Sequence, residues 1–269
     1  MDGMTRFPTL SVVIPVLNEA SRLPLLLADL ARWPMPLEIL VIDGGSADAS
    51  ITTGALGGAN VVVTPSPGRG QQLQLGSTLA LGPWLLALHA DSRLQPSWAR
   101  EVAAIIQRPA SGDQAWYFDL RVDHPGPMLR CLEFSVHIRS AVLQRPYGDQ
   151  GLLIHRDLLA RAGGYGMQAL MEDLDLVRRL ARMARLRRIG QPLITSSRRW
   201  RERGVLRNAW CNAQLRRRWA RGEDPAGLAR EYASETISSS TRNHSGAAAV
   251  QAPSPDADKN RPRRDQQTG

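Results

Sequence analysis

Cysteine is scarce in this chain of 269 residues, and the two that occur, Cys131 and Cys211, lie far apart. So few cysteines argue against a disulfide framework or a zinc site, and they fit a reducing cytoplasm. Aromatic residues are also few, at 5% of the chain, although the hydrophobic fraction of 43% suits a globular protein. A chain of this length can bury one substantial core, or one domain with appendages.

Long hydrophobic runs are absent as well. No stretch approaches the roughly 18 uninterrupted apolar residues that a membrane-spanning helix needs. The first residues, Met1 to Phe7, contain no basic segment followed by an apolar run, so we do not expect a signal peptide. These absences predict a soluble, cytoplasmic protein.

Positive charge is in excess, with a formal net charge of +9 that is unevenly spread. One cluster runs from Arg178 to Arg188. A denser cluster consists of Arg198, Arg199, Arg201, Arg203, Arg207, Arg216, Arg217, Arg218 and Arg221. Phosphate-bearing substrates, anionic lipid and RNA would all be attracted to such a surface, although a charge run is more often a solvated helix face.

Three tryptophans are interleaved with the denser cluster, between Trp200 and Trp219. Tryptophan and arginine together favour the headgroup region of an anionic membrane, so peripheral membrane contact through residues 198–221 is one interpretation. A packing helix with a basic outer face is the simpler one. No known nucleic-acid-binding module is recognisable, so nucleic acid is not an expected partner.

Strand and helix signals alternate over the first ninety residues. Four apolar, partly β-branched runs occupy residues 10–16, 37–42, 60–64 and 84–89, and helical segments separate them. This alternation predicts βαβ units and a mostly parallel sheet. Later segments mix helices and strands. From about Ala233 the chain has no aromatics and many Ser, Ala, Gln, Pro and Arg residues, so residues 233–269 are expected to be a disordered tail.

Polar loops follow three of these strands: residues 15–19, residues 43–48 and residues 89–91. In a parallel sheet such strand ends converge on one crevice. Each loop alone is explained by turn or helix-cap chemistry, and Asp91 in particular could cap the next helix. Together they favour a shared site, because clustered carboxylates repel each other unless a cation or donor groups compensate.

Six motifs follow one another along the chain: Val13-Ile14-Pro15-Val16-Leu17-Asn18-Glu19, Asp43-Gly44-Gly45-Ser46-Ala47-Asp48, Gly68-Arg69-Gly70, His89-Ala90-Asp91, Tyr147-Gly148-Asp149-Gln150-Gly151 and Met171-Glu172-Asp173-Leu174-Asp175-Leu176. Their order and spacing resemble family 2 glycosyltransferases with the GT-A fold. The resemblance implies an α/β nucleotide-diphospho-sugar transferase fold, with a Rossmann-like mixed sheet flanked by helices. We expect this domain to cover residues 1–203, followed by a basic helical extension at 204–232. Gly148-Asp149-Gln150 with Ser197-Arg198-Arg199-Trp200 most resembles a small bacterial branch, the arsenosugar-biosynthesis glycosyltransferases.

The resemblance also implies roles for the donor-binding residues. Pro15, Asn18, Glu19 and Ser46 would line the nucleoside pocket, and Asp43 would hydrogen-bond the base. Two glycines flank Arg69 and allow close approach of the backbone, so its guanidinium could reach a diphosphate oxygen. Asp91 would bind the metal, Mg²⁺ or Mn²⁺, that bridges to the diphosphate. His89 departs from the family pattern, because an acid often stands there and imidazole suits Mg²⁺ poorly.

On the acceptor side, the resemblance implies that Asp173 is the general base, with Glu172 as the alternative. Either acid could instead simply favour a helix N-terminus. Asp149 and Gln150 would line the acceptor site. The remaining implied contacts, to the diphosphate or the acceptor, are Arg198, Arg199 and Trp200.

The sequence thus predicts an inverting, metal-assisted glycosyltransferase. It would move a sugar from a UDP- or GDP-sugar to a hydroxyl group of a small-molecule or lipid-linked acceptor, in the cytoplasm or at the inner face of the membrane. Two alternatives stay open. One is a nucleotide-sugar-binding relative with little or no activity, suggested by His89. The other is a basic adaptor for a membrane or RNA surface.

Overall fold

The computed structural model describes residues 7–198, 200 and 204–232. Two sequence predictions, the role of Arg199 and the disordered tail at 233–269, lie outside this range. The first half of the fold consists of β1 (Leu10–Val16), α1 (Leu23–Leu30), β2 (Leu37–Asp43), α2 (Ser50–Leu56), β3 (Asn60–Val63), α3 (Arg69–Leu79) and β4 (Trp84–Ala87). This is the alternation that the hydrophobic pattern predicts.

The second half mixes strand directions. Its elements are β5 (Arg93–Leu94), α4 (Trp98–Ile106), β6 (Gln114–Val122), α5 (Pro127–Leu143), β7 (Leu152–His155), α6 (Arg156–Arg161), α7 (Glu172–Leu180), β8 (Arg185–Thr195) and α8 (Val205–Ala220). A 3₁₀ turn occupies Gly148–Gln150, and residues 225–232 are helical.

One sheet of eight strands organises the described residues, in the order β3-β2-β1-β4-β7-β6-β8-β5. Strands β1 to β4 run parallel. Strand β7 is antiparallel to both β4 and β6, and β8 runs parallel to β6. The sheet is therefore mixed, as the GT-A resemblance implies, and the carboxyl ends of β1, β2 and β4 share one edge.

The core lies on both faces of this sheet, because alternate residues of a strand point to opposite sides. On one face, Val12 and Ile14 of β1 belong to a buried cluster with residues of α1 and α4. On the other face, Val13 packs with residues of α3, α6 and α7. A strand covered on both faces is largely apolar, which explains why Ser11 is the one polar residue of β1.

The arginines from 178 to 188 do not form a single helix face. The first two belong to α7, and the others lie on or just before β8, where Leu186 and Leu193 are buried while Arg185 and Arg187 are exposed. Arg188 donates to both carboxylate oxygens of Asp119 on β6, each at 2.8 Å. The arginine-rich segment before residue 189 therefore includes the start of a strand whose inward-facing side chains are apolar.

Helix α8 packs against the sheet domain rather than standing apart from it. The Arg216 guanidinium lies 5.3 Å from the ring centroid of Tyr147, and Arg178 of α7 lies 4.4 Å from the Trp219 ring. Leu215, on the same helix, is buried. Among the residues described, no helix is long and apolar enough to cross a membrane.

Candidate active site

A cavity of about 580 Å³ opens at the carboxyl-terminal edge of the parallel strands. The start of α7 and one face of α8 form its other walls. Nine of the described site residues expected from the sequence line it: Pro15, Glu19, Arg69, Asp91, Asp149, Glu172, Asp173, Arg198 and Trp200. Four others, namely Asn18, Asp43, Ser46 and Gln150, are absent from its lining. The fold therefore brings the two halves of the expected site together.

Asp43, at the end of β2, holds the donor-side loop in shape. One carboxylate oxygen accepts from the backbone N–H groups of Gly45 and Ser46, at 2.8 and 2.7 Å, and the other accepts from the Ser46 hydroxyl at 2.6 Å. The Ser46 hydroxyl in turn accepts from the N–H of Asn18, whose side-chain oxygen accepts from the N–H of Ala47. Asn18 adopts a left-handed conformation, with φ at 56°. These three side chains join the ends of β1 and β2.

Gln72 of α3 makes a second connection that the sequence did not reveal. Its side-chain nitrogen donates to the carbonyl oxygens of Val16 and Ile42, at 2.9 and 2.6 Å, and the side chain is buried. It thereby ties the first turn of α3, which carries Arg69, to the ends of two strands. Nothing in the pattern of α3 distinguishes this glutamine from its neighbour Gln71.

Asp91 follows β4 and lines the cavity. Within the described part of the chain, its carboxylate has neither a hydrogen-bond partner nor an ion pair. The next helix, α4, begins after Ser97, so Asp91 does not cap it and the helix-cap interpretation is wrong. A carboxylate without a protein partner at a cavity wall is available to a cation.

A divalent cation would fit Asp91 only in a particular way. Among the described residues, no group of three or more His, Cys, Asp or Glu side chains could hold a metal by itself. Magnesium, however, is commonly held by one or two carboxylates together with substrate phosphates and water. The residues present therefore suit a cation shared with a diphosphate, and they do not suit a centre built from protein ligands alone.

Arg69 lies at the middle of a charged cluster. Its Nε donates to Glu172, its Nη2 lies 3.3 Å from Asp173 Oδ2, and its Nη1 lies 3.2 Å from His89 Nε2. A guanidinium can only donate, so this contact assigns His89 Nε2 as the acceptor, with the ring proton on Nδ1. His89 thus helps to position Arg69. The side chain of Arg69 is 35% exposed, and it lines the cavity.

The first two acids of α7, Glu172 and Asp173, respond differently to this environment. Burial raises the pKa of Glu172, even with Arg69 beside it. Burial alone would also raise the pKa of Asp173, but the Arg69 charge and two backbone N–H donors outweigh it and lower that pKa. The same carboxylates raise the pKa of Arg69 against the opposing effect of burial. Asp173 is therefore the more readily ionised of the two adjacent acids.

Backbone geometry sets the direction of Asp173. Met171, just before α7, adopts a left-handed conformation with φ at 67°, an uncommon one for a residue with a side chain. Asp173 Oδ2 accepts from the N–H of Gly148 at 2.7 Å, and Oδ1 accepts from the N–H of Leu174 at 2.7 Å. The carboxylate is thus held between the start of α7 and the Gly148–Gln150 turn.

The two polar residues of the Gly148–Gln150 turn, Asp149 and Gln150, have different surroundings. Gln150 is 1% exposed, and its side-chain oxygen accepts from Ser140 and Arg139 while its nitrogen donates to the carbonyl of Phe118. Asp149 instead lines the cavity, and its Oδ1 is buried without a hydrogen-bond partner in the described residues. Gln150 braces the turn, and Asp149 faces the cavity.

The later part of the chain supplies more of the cavity than the motifs indicate. Arg198 lies 4.0 Å from Glu19 across the cavity mouth. Asn208, Asn212 and Arg216 of α8 also line the cavity. Their spacing of four residues places them on one face of the helix. This spacing can be read from the sequence, but the surrounding arginines and tryptophans draw attention away from it.

Comparisons with known proteins agree with this arrangement. Residues 11–134 match the model of glycosyl transferase family 2. An uncharacterised glycosyltransferase of Mycobacterium tuberculosis is 29% identical over 185 residues, which cover 61% of this chain and 84% of that protein. A PGL/p-HBAD biosynthesis glycosyltransferase of Mycobacterium bovis is 26% identical over 181 residues, which cover 62% of this chain and 68% of that protein.

Solved structures share the fold at low identity. The crystal structure of TarS 1-349 from S. aureus has a TM-score of 0.55 and 16% identity, and the match covers 70% of this chain and 60% of that one. This chain thus spans less than two thirds of that structure. TarS 1-349 in complex with UDP-GlcNAc matches similarly, with a TM-score of 0.54, 15% identity and coverage of 70% and 58%. The matched region, the relatives and the fold together show that the chain is a glycosyltransferase of the GT-A fold, which is similar to glycosyl transferase family 2 over residues 11–134.

Proposed function

We propose that this enzyme moves a sugar from a UDP- or GDP-sugar to a hydroxyl group of its acceptor, with inversion at the anomeric carbon. The observation that carries this proposal is the Asp173 carboxylate, which lines the cavity beside Arg69 and is held by the backbone N–H groups of Gly148 and Leu174. The Asp91 carboxylate in the same cavity, which has no partner among the described residues, supports a site for the diphosphate and its cation. The complex of TarS with UDP-GlcNAc, a protein of the same fold, favours a uridine nucleotide as the donor.

The chemistry needs one base and help for the leaving group. The acceptor oxygen attacks the anomeric carbon, the bond from that carbon to the diphosphate oxygen breaks, and Asp173 takes the acceptor proton. Because its pKa is lowered, Asp173 is ionised at neutral pH, so its carboxylate has a lone pair available for the acceptor proton. A cation bound by Asp91, Mg²⁺ or Mn²⁺, would neutralise charge on the departing diphosphate. We assign Glu172 to the positioning of Arg69.

The donor side follows from the loops at the strand ends. Pro15 and Glu19 line the cavity and would contact the nucleoside. Asp43, Ser46 and Asn18 shape the loop beside it. Because the Asp43 side chain is fully buried and already accepts three hydrogen bonds, we assign it to the shape of this loop and not to a direct contact with the base. We also propose that the chain belongs to the arsenosugar-biosynthesis branch, based on the pairing of Gly148-Asp149-Gln150 with Ser197-Arg198-Arg199-Trp200.

Binding of UDP tests the first step without knowledge of the acceptor. We expect UDP to raise the Tm of the protein, because a ligand that binds only the folded state stabilises it. Mn²⁺ should increase that shift in the wild type, and Asp91→Asn should lose the Mn²⁺-dependent part. Asp113→Asn is a matched control, since Asp113 is an exposed acid outside the cavity. If neither UDP nor GDP stabilises the wild type, the proposal fails.

Turnover tests the second step. UDP-glucose, UDP-GlcNAc and GDP-mannose, each incubated with the enzyme, should reveal the donor by release of the nucleoside diphosphate. A metal-dependent release that Asp91→Asn abolishes would support the proposal. Nucleotide binding without release from any nucleotide sugar, with acceptor extracts present, would instead favour the inactive relative.

We further propose a peripheral membrane contact on the cytoplasmic side, through the outer face of α8. Leu206 and Trp210 are 70% and 61% exposed. Arg217 and Arg221, also exposed, continue the same helix face. An apolar pair beside arginines suits the headgroup region of an anionic bilayer. A lipid-linked acceptor would then be presented near the cavity.

A further inference from the structure

The inner face of α8 contains a polar group that folding alone does not explain. Asn208 is 2% exposed and lines the cavity, and its Oδ1 has no hydrogen-bond partner among the described residues. Leaving a buried acceptor unsatisfied costs on the order of 1–3 kcal/mol. A side chain retained at such a cost points to a partner other than the protein.

A second oxygen in the same cavity is in the same condition. Asp149 Oδ1 is also buried without a partner in the described chain. Asn212, one turn along α8 from Asn208, adds an amide to the cavity wall. Two oxygens that accept hydrogen bonds need donors, and an amide can both donate and accept. The ligand chemistry that matches this set is several adjacent hydroxyl groups.

We propose that Asn208 and Asn212, with Asp149 in the same cavity, form the acceptor subsite, and that the acceptor is polyhydroxylated at the end that enters it. This inference rests on the proposed function, and it specifies the acceptor class. It also assigns a role to α8, because the inner residues of this helix determine which hydroxyl compound binds near Asp173. The family model ends at residue 134, so the subsite lies outside the matched region.

Saturation-transfer difference NMR on the UDP-bound full chain tests the chemistry of the subsite. The probes are two pairs with matched carbon skeletons: erythritol with 1-butanol, and myo-inositol with cyclohexanol. We expect saturation of the polyols and little saturation of the monohydric alcohols. Equal saturation within both pairs, or saturation of neither polyol, would overturn the proposal.

Substitutions of the two asparagines test whether the polyols bind at α8. Asn208→Leu and Asn212→Leu should each weaken polyol binding by about fivefold, the value of one good hydrogen bond. Gln214→Leu is the matched control, because Gln214 lies on the same helix and does not line the cavity. Asn208→Leu should also keep or raise the Tm, since it removes an unsatisfied buried oxygen. A purely structural Asn208 would instead lower the Tm.

UDP titrations separate this inference from the proposed function. The variants should bind UDP like the wild type. If the wild type binds no UDP or GDP, the proposed function fails. If UDP binds while polyol saturation is the same in wild type and both asparagine variants, only the subsite proposal fails.

Discussion

Two adjacent carboxylates stand at the start of α7, and their surroundings give them different tasks. Glu172 is 1% exposed and bound to Arg69, whereas the Asp173 side chain is 16% exposed and held by backbone donors. A base has to reach its proton, so the more accessible and more ionised acid is the better candidate. The ion pair of Glu172 fixes the guanidinium that keeps Asp173 charged.

This division predicts unequal effects of two amide substitutions. Asp173→Asn should lower kcat by about 10²- to 10⁴-fold, the usual contribution of a general base, and leave UDP affinity unchanged. Glu172→Gln should reduce kcat less, because it loosens Arg69 without removing the base. Release of nucleoside diphosphate from the preferred donor measures both. If Glu172→Gln is inactive and Asp173→Asn is not, the assignment is reversed.

The Arg69 charge also predicts the pH dependence of transfer. A cation beside Asp173 favours its ionised form and lowers its pKa. Removing that cation in Arg69→Met raises the pKa, so less Asp173 is ionised at a given acidic pH. The acidic limb of the kcat/KM profile should move to higher pH by about one unit or more. Glu172 would then take up a proton more readily, because burial already raises its pKa.

The control for this profile is Arg188→Met, which removes an arginine paired with Asp119 on the far part of the sheet. Arg188→Met should not shift the acidic limb of the kcat/KM profile. If Arg69→Met does not shift this limb either, the backbone donors alone set the pKa of Asp173.

Single residues show how far the sequence could predict this site. Asp91 and Asp173 were identified by position in motifs, and the fold places both in the cavity. The mutual contacts of Arg69 with Glu172 and His89 could not be predicted, because 103 and 20 residues separate the partners. Only tertiary packing reveals that His89 serves Arg69.

At the scale of elements, the start of α3 depends on a close approach between backbones. Gly70 faces the segment 166–168, and a Cβ at this position would collide with the carbonyl oxygen of Gly166 and lie 2.8 Å from that of Gln168. Gly68, two residues earlier, has only ordinary contacts, and its φ of 169° is open to any residue. The two glycines of the motif therefore have different requirements.

Gly70→Ala should push α3 away from this segment and displace Arg69. We expect a loss of stability of about 1–3 kcal/mol, typical of overpacking, together with reduced transfer. Gly68→Ala should have little effect on either. For both variants, urea denaturation measures stability and release of nucleoside diphosphate from the donor measures transfer. Equal free energies of unfolding for Gly70→Ala and the wild type would show that the segment 166–168 shifts to accommodate the added Cβ at little cost.

Elements also show where pattern reading fails. Strand β1 is apolar apart from Ser11 and is readily predicted, because a strand buried on both faces gives a nearly continuous hydrophobic run. Strand β8 was missed because Arg185, Arg187 and Arg188 dominate its sequence. Pairing with β6 stabilises it, and long-range pairing of this kind overrides a local charge pattern.

At the scale of the whole molecule, helix α8 lies between the cavity and the protein surface. Its inner face lines the cavity, and its outer face displays Leu206, Trp210 and Arg217. Composition alone predicted a basic extension from residue 204, and the structure shows this segment packed against Tyr147 and Arg178. Which helix face turns inward is decided by shape complementarity with the domain, a property of the folded chain.

The membrane contact that we propose for the outer face of α8 is tested with the full chain. In co-sedimentation, vesicles with phosphatidylglycerol should retain the protein, and vesicles of phosphatidylcholine alone should not. Raising salt from about 0.1 M to about 1 M should release it, because the Debye length falls from about 10 to about 3 Å. The double variant Leu206→Ser/Trp210→Ser should also lose binding, since it removes the apolar contact.

Leu56→Ser supplies the control, because Leu56 is 85% exposed on α2, away from this face. It should sediment with anionic vesicles like the wild type. Salt-sensitive binding that the double variant retains would assign the attraction to arginines alone. Equal recovery with neutral and anionic vesicles would contradict the contact, because the arginines of α8 would then add nothing to it.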